Sequence, residues 1–303
     1  LYFCHHFISQ CFIQMVFIHN LFLILGRGIG QVMFQNNAFS GLLMLVGIFL
    51  NSWQMGILAV CGNIISTLTA YFSGYKHDDI KNGLYGFNGT LVGIAVGVFL
   101  QLSVGSLIML IITSALSTWI AYFFNRQRLL PSFTTPFILV VWGMLGVCSW
   151  LFPNLLLVSD TVIDSTQNIN YFKAFCLGIG QIMFQGDTVL SGLFFFIGIL
   201  INSRKASLYT ILGALLPIPL AILLEVDATN LNAGLMGYNG VLCAIALGGS
   251  TRESSIWAGC SVLLSTVLQI LGMSLGITTL TAPFVISVWG IIMTQKTIKT
   301  QIN

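Results

Sequence analysis

Apolar runs broken by short polar stretches set out the organisation of the chain. On a criterion of roughly 20 apolar residues per membrane crossing, runs fall at 8–30, 38–51, 55–73, 90–100, 105–124 and 133–152. A polar stretch from Pro153 to Tyr171, with Asp160, Asp164, Gln167 and Asn168, precedes a second set at 172–184, 189–201, 207–224, 240–249, 256–276 and 279–294. The two sets carry the same motifs in the same order. G-I-G-Q-V-M-F-Q at 28–35 is matched by G-I-G-Q-I-M-F-Q at 178–185, and each is followed by Ser-Gly-Leu (Ser40, Ser191) and Asn-Ser (Asn51, Asn202). G-L-Y-G-F-N-G at 83–89 is matched by G-L-M-G-Y-N-G at 234–240, and T-T-P-F…W (Thr134 to Trp142) by T-A-P-F…W (Thr281 to Trp289). Matched motifs lie half a chain apart, whereas solenoid periods run roughly 20–50 residues. The pattern is therefore a duplication: a first repeat at 1–152, a connector at 153–171 and a second repeat at 172–303.

The run after each G-L-x-G-x-N-G is short and rich in glycine (Gly86, Gly89, Gly93, Gly97; Gly237, Gly240, Gly248, Gly249). Short Gly-interrupted segments at matching positions of two halves point to half-helices beside a pathway, tolerated at membrane depth only where buried in protein or facing water. The expectation is an all-α integral membrane protein, each half having five transmembrane helices and one re-entrant half-helix, near 83–100 and near 234–249. An odd number of spans inverts the halves, places a pore at their pseudo-two-fold interface and puts both termini on one side. By the positive-inside rule that side, with Arg126, Arg128, Lys296 and Lys299, is cytoplasmic, and Lys76, Lys81, Arg204 and Lys205 face outward.

Composition agrees with the span count. Charged residues make up 6% of the chain, hydrophobic ones 56%, and the mean hydropathy is +0.95. A soluble domain carries roughly 25% charged residues, so most side chains must face lipid or other helices. The formal charge of +3 is spread thinly and offers nucleic acid no basic patch. The cysteines (Cys4, Cys11, Cys61, Cys148, Cys176, Cys243, Cys260) contain no C-x-x-C pair and read as small packing residues. The histidines (His5, His6, His19, His77) form no ligand set, so neither metal nor cofactor is expected. Nothing near the start reads as a cleavable signal.

The acids Asp78, Asp79, Asp160, Asp164, Asp187, Asp227, Glu225 and Glu253 fall almost entirely in loops or at segment ends. Ionisable residues within the membrane mark proton relays and ion sites, so their scarcity argues against coupled transport and charged-ring ion channels. Asp187 is expected as a helix N-cap before the Ser191 segment, the role given to Asn37 in the first half. Uncharged polarity beside aromatics remains. Gln31 and Gln181 precede Phe34 and Phe184 by three residues, on one helical face. Asn88 and Asn239 open the re-entrant helices, where an amide can satisfy free backbone groups. Phe87 pairs with Leu91, and Tyr238 with Leu242, at i, i+4. Thr134 and Thr281 precede prolines by two residues, and a mid-span proline would free a carbonyl one turn earlier. Each residue also has a plainer reading: packing for the aromatics, a bond to its own i−4 carbonyl for each threonine, a helix bridge for each glutamine. Recurrence in both halves favours a shared axial site. Asn88-Gly89-Thr90 matches a glycosylation sequon, but a re-entrant position makes modification unexpected.

These doubled motifs resemble the urea transporters, bacterial branch, over residues 26–294. The resemblance implies five spans plus one re-entrant helix per inverted half and a homotrimer with one pore per protomer. It further implies passive conduction of urea through aromatic slots and ladders of backbone carbonyls. The slots would be Phe34, Phe87 and Leu91, and Phe184, Tyr238 and Leu242. Gln31 and Gln181 would neighbour the ladders, Thr134 and Thr281 the central constriction, and Asn88 and Asn239 would begin the half-helices. Tyr238 in place of Phe87 makes one slot more polar, and Gly186-Asp187-Thr188 departs from Asn36-Asn37-Ala38. The expected protein is not an enzyme, having no nucleophile, metal set or acid–base pair within its repeated motifs. It sits among lipids of a bacterial inner membrane with both termini cytoplasmic. The alternative is a channel of the same fold for another small neutral solute, such as another amide or ammonia. An aquaglyceroporin reading fails for want of an Asn-Pro-Ala pair.

Overall fold

A computed structural model describes residues 19–127, 130–157 and 168–302. Cys4, Cys11, His5, His6, Arg128, Asp160, Asp164, Gln167 and the beginning of the first apolar run lie outside them. Among the described residues the regular elements are helices, with one isolated bridge between Leu100 and Leu156. In the first half these are α1 (19–31), α2 (Ala38–Asn51), α3 (Trp53–Phe72), α4 (His77–Lys81), α5 (Gly86–Phe99), α6 (Val104–Gln127) and α7 (Thr135–Leu151). The second half has α8 (Tyr171–Gly180), α9 (Val189–Asn202), α10 (Arg204–Leu215), α11 (Pro217–Leu223), α12 (Ala228–Asn232), α13 (Gly237–Leu247), α14 (Arg252–Ser274) and α15 (Ala282–Ile302). The expected apolar runs therefore each carry a helix. Trp53–Phe72, Val104–Gln127, Arg204–Leu223 and Arg252–Ser274 are long and apolar enough to cross a membrane. Large apolar side chains such as Phe72, Trp150 and Leu223 face outward, which only a lipid surround tolerates at this density.

The repeated motifs have local jobs. In Asn-Ser, the serine ends one helix and caps the next: Ser52 Oγ accepts from the Met55 N–H at 3.3 Å and Ser203 Oγ from the Ala206 N–H at 3.1 Å. These corners turn α2 into α3 and α9 into α10 without a loop. In Ser-Gly-Leu the glycine permits contact of two backbones. A Cβ on Gly41 would lie 1.7 Å from the Gly26 carbonyl oxygen, and one on Gly192 1.8 Å from that of Cys176. Asn37 caps α2 as expected, accepting from the Phe39 and Ser40 N–H groups. Asp187 does not cap α9. Thr188 does, accepting from the Leu190 N–H, while Asp187 reaches across the molecule to the Asn51 side chain.

The halves meet along α2 and α9, which run antiparallel. Asn51 at the end of α2 bonds Asp187 before α9, and Asn202 at the end of α9 bonds Gln35 before α2, at 3.1 and 2.8 Å. Between these ends Ser191 Oγ donates to the Gly47 carbonyl at 2.7 Å.

The direction of α5 corrects two expectations. Gly86 packs on Thr67 and Asn63, Gly93 on Leu58, and Gly97 on Leu58 and Met55. Hence α5 runs antiparallel along most of α3, and the chain leaves at Leu100 beside Leu156, beyond the end of α7. The segment near 83–100 carries the chain to the other end of α3 instead of turning back. The same holds for α13 along α10, where Gly240 meets Gly213 and Gly248 meets Tyr209. In consequence Lys76 and Arg126 line one cavity, and Trp119 Nε1 donates to Ser73 Oγ at 3.3 Å. The separation of Lys76 and Lys81 from Arg126 by a membrane is thereby overturned. Glycine spacing marks the close packing of α5 on α3, and that signal does not reveal whether a short helix returns.

Candidate functional site

Two cavities approach each other from opposite ends of the molecule. The first, about 360 Å³, is lined by Gln31, Phe34, Phe87 and Thr134 together with Asp79, Asn125, Ser132 and Phe133. The second, about 210 Å³, is lined by Gln181, Phe184, Tyr238 and Thr281 together with Gln269, Met273, Thr279 and Leu280. Between them Thr134 Oγ1 and Thr281 Oγ1 are hydrogen-bonded at 2.7 Å. The two threonines thus bond each other instead of an i−4 carbonyl. Asn88, Leu91, Asn239 and Leu242 lie behind the walls, each fully buried.

The two phenylalanines of the G-x-G-Q motif are not on a helical face with their glutamines. Helix α1 ends at Gln31 and α8 gives way to a 3₁₀ turn at Gln181–Met183. Phe34 and Phe184 then adopt left-handed backbones, φ +61° and +59°, a conformation uncommon for bulky residues. Their turns are closed by the Gln35 N–H on the Gly30 carbonyl (2.9 Å) and the Gln185 N–H on that of Gly180 (3.0 Å). The side-chain amides of Gln35 and Gln185 donate to the Met33 and Met183 carbonyls. This strain swings each ring toward its cavity, and a strained backbone of this kind concentrates at functional positions. Gln31 and Gln181 are spent structurally: Nε2 of each donates at 3.0 Å, to the carbonyls of Asn82 and Ala233.

The prolines also sit elsewhere than expected. Pro136 and Pro283 occupy the first turns of α7 and α15, where a missing N–H costs nothing, so neither breaks a span. Both helices begin at the threonine pair. Their free N–H groups are met from neighbouring helices. Asn88 Oδ1 accepts from the Phe137 N–H at 3.2 Å and Asn239 Oδ1 from the Phe284 N–H at 3.1 Å. The asparagines do satisfy free backbone groups, but those of α7 and α15 rather than of their own helices.

Further contributors went unread in the sequence. Phe133 and Leu280 stand just before the threonines with φ +44° and +50°. Phe284 meets Phe34 edge-on at 6.1 Å and Phe133 at 5.1 Å, and Phe137 meets Phe184 at 6.2 Å. Each aromatic wall is thus completed by the Thr-x-Pro-Phe motif of the other half. Trp142 Nε1 donates to the Thr278 carbonyl at 2.7 Å and Trp289 Nε1 to that of Pro131 at 2.9 Å, so each half pins the other's threonine loop. The recurrence of Phe and Trp at one spacing within T-x-P-F…W of both halves was the available signal for Phe137, Phe284, Trp142 and Trp289. Gln269 lies outside the repeated motifs.

Nor does Tyr238 make its wall more polar. Its hydroxyl lies 2.8 Å from the Leu280 carbonyl, 3.0 Å from Gln269 Oε1 and 3.1 Å from Thr279 Oγ1, leaving the ring edge and face to the cavity. Asp79 is the one carboxylate lining either cavity among the described residues. Outside the first cavity, and sharing Asp79 and Asn125 with it, lies a basic, tyrosine-rich cavity of about 460 Å³ with Lys76, Arg126, Tyr75 and Tyr122. The corresponding cavity of the second half is acidic, with Glu225 and Asp227.

These features define a multi-pass helical membrane protein built around two nearly uncharged aromatic cavities that meet at a hydroxyl pair. The sequence profile of the family described as urea transporter matches residues 22–296. Among curated relatives, Urea transporter 1 of Ovis aries is 31% identical over 237 residues and that of Capra hircus 32% identical over 240. Urea transporter 1 of Rattus norvegicus is 31% identical over 245 residues. Each match covers 74% of this chain and 62% of the relative. The chain belongs to the urea transporter family, and it spans somewhat less than two thirds of the length of these relatives.

Proposed function

We propose that the chain conducts urea passively across the membrane, through the two cavities and between Thr134 and Thr281. The observation that carries this reading is the pair of aromatic-lined cavities converging on one neutral hydrogen-bonded constriction. Urea is planar and offers four N–H donors and a carbonyl. An amide-like solute without partners pays roughly 4–8 kcal/mol on an alkane scale, so a passage for it needs polar groups along a thin slot. Hydroxyls and nearby backbone carbonyls supply these, while apolar walls exclude hydrated ions. Binding must stay weak for release to be fast.

The same reading gives the repeats their geometry. The two halves are inverted, each with five spans and one helix that enters without crossing. That helix is α8 in the second half and α1 in the first. Both ends of α8 are tied to one loop, through the Asn170 N–H on Asn232 Oδ1 and Gln181 Nε2 on the Ala233 carbonyl. Lys76, Lys81, Arg126, Arg204, Lys205 and Arg252 then share one face, and Glu225 and Asp227 the other. The positive-inside rule makes the basic face cytoplasmic, with both termini on it. A homotrimer with one pore per protomer, in a bacterial inner membrane, completes the proposal.

The test is flux in proteoliposomes with imposed gradients. Urea entry should be unchanged when a proton or sodium gradient is collapsed, and should carry no current. A urea-driven current, or flux lost with the pH gradient, would refute passive conduction.

A further inference from the structure

The halves differ at one buried point, and the difference concerns selectivity. Gln269 on α14, 2% exposed, gathers three groups with its amide oxygen. Asn239 Nδ2 donates to it at 3.1 Å and Thr279 Oγ1 at 2.8 Å, with the Tyr238 hydroxyl 3.0 Å away; through Tyr238 the knot reaches the Leu280 carbonyl. The knot therefore joins a cavity wall (Tyr238), the amide capping α15 (Asn239) and the loop that carries Thr281. The first half lacks all of it. Ser117-Thr118 and Ser265-Thr266 align α6 with α14, and three residues on Ala121 stands where the second half has Gln269. Phe87 replaces Tyr238, and Ser132 replaces Thr279. In that half Asn88 Nδ2 is buried without a partner among the described residues, and the Ser132 hydroxyl donates to Asn125 Oδ1 at the cavity rim, at 2.9 Å.

We infer that Gln269 is the positioning residue that fixes the bore on the second-half side, making that side the rigid discriminator and the first-half side the adaptable one. The inference rests on the proposed conduction of urea. A hydrogen-bonded knot of buried groups has few alternative arrangements, because moving any member strands the others. Loosening it widens the gap between Tyr238, Phe184 and Thr281 without adding charge, so larger neutral solutes gain most.

The experiment compares urea, methylurea and glycerol permeabilities for the full chain in proteoliposomes, with Gln269→Met, Tyr238→Phe and the double variant. Gln269→Met keeps the volume and removes the acceptor. The expected result is a urea-to-glycerol ratio lowered about tenfold, the scale of one buried group left unpaired, with Tyr238→Phe adding less in the Gln269→Met background than it costs alone, because there its main remaining bond is the one to the Leu280 carbonyl. Thr279→Val, on the loop, should shift the ratio in the same direction, and Thr279→Ser should restore it; this pair serves if Gln269→Met fails to fold. Folded Gln269→Met or Thr279→Val protein with an unaltered ratio overturns the inference. Absence of urea flux in the unsubstituted chain overturns the function beneath it instead.

Discussion

Replacing both central threonines by valine separates the polarity of the constriction from its width. Valine has nearly the volume of threonine, so Thr134→Val with Thr281→Val removes both hydroxyls with little change in side-chain size, the methyls that replace them needing contact distances of roughly 3.5–4.0 Å where the hydroxyls sit 2.7 Å apart. In the unsubstituted protein the 2.7 Å bond between them contributes a net of about 0.5–1.5 kcal/mol. A passing amide can part the pair cheaply, because it replaces the bond it breaks. With two valines the solute crosses a dry ring. On the scale of buried polar groups in proteins each missing partner costs about 1–3 kcal/mol, and each 1.36 kcal/mol is a factor of ten in rate. Urea flux should therefore fall about tenfold in either single variant and about a hundredfold or more in the double, while Thr→Ser at both positions stays within about twofold. Stopped-flow light scattering at matched protein loading measures this, with thermal stability and size-exclusion profiles as folding controls. Folded double-valine protein conducting at the original rate would refute a polar constriction at these residues.

Other outcomes follow from the same structure. Leucine at Thr134 or Thr281 should abolish flux by filling the gap, with an unchanged profile on a sizing column. Gly41→Ala or Gly192→Ala should lower the melting temperature in detergent, since a Cβ 1.7–1.8 Å from a carbonyl oxygen forces helices apart at a cost of about 1–3 kcal/mol; equal stability would mean the helices have slack there. Trp142→Phe should loosen the 278–281 loop by removing its indole donor, raising deuterium uptake in that loop on mass spectrometry while the 131–134 loop stays as protected as before. Cysteines placed at Lys76 and Glu225 should react with an impermeant maleimide from opposite sides of sealed vesicles; labelling from one side would end the inverted topology.

Much of the architecture was legible in the sequence because it depends on runs and repeats. Segment positions and the Asn37 cap required only spacing, whereas the placing of Thr134 beside Thr281 came through the family resemblance. What misled was local periodicity applied past a helix end. Phe34 and Phe184 look like helical neighbours of Gln31 and Gln181, but a turn intervenes whose closure depends on the side chains of Gln35 and Gln185. Pro136 and Pro283 read as kinks because an apolar run does not disclose where its helix starts. The path of α5 was misread for a related reason: glycines in a short helix record how near the neighbouring helix lies, whereas whether the chain returns is decided by contacts with Met55 and Leu58. Gln269 was invisible in kind, since its role comes from being absent in the other half.

The most direct test of the central claim is solute entry into proteoliposomes carrying the purified chain, with no ion gradient, comparing urea with glycerol, formamide and ammonia. The account predicts rapid urea entry with little entry of glycerol. Folded protein that admits glycerol as readily as urea, or admits no urea at all, would contradict it.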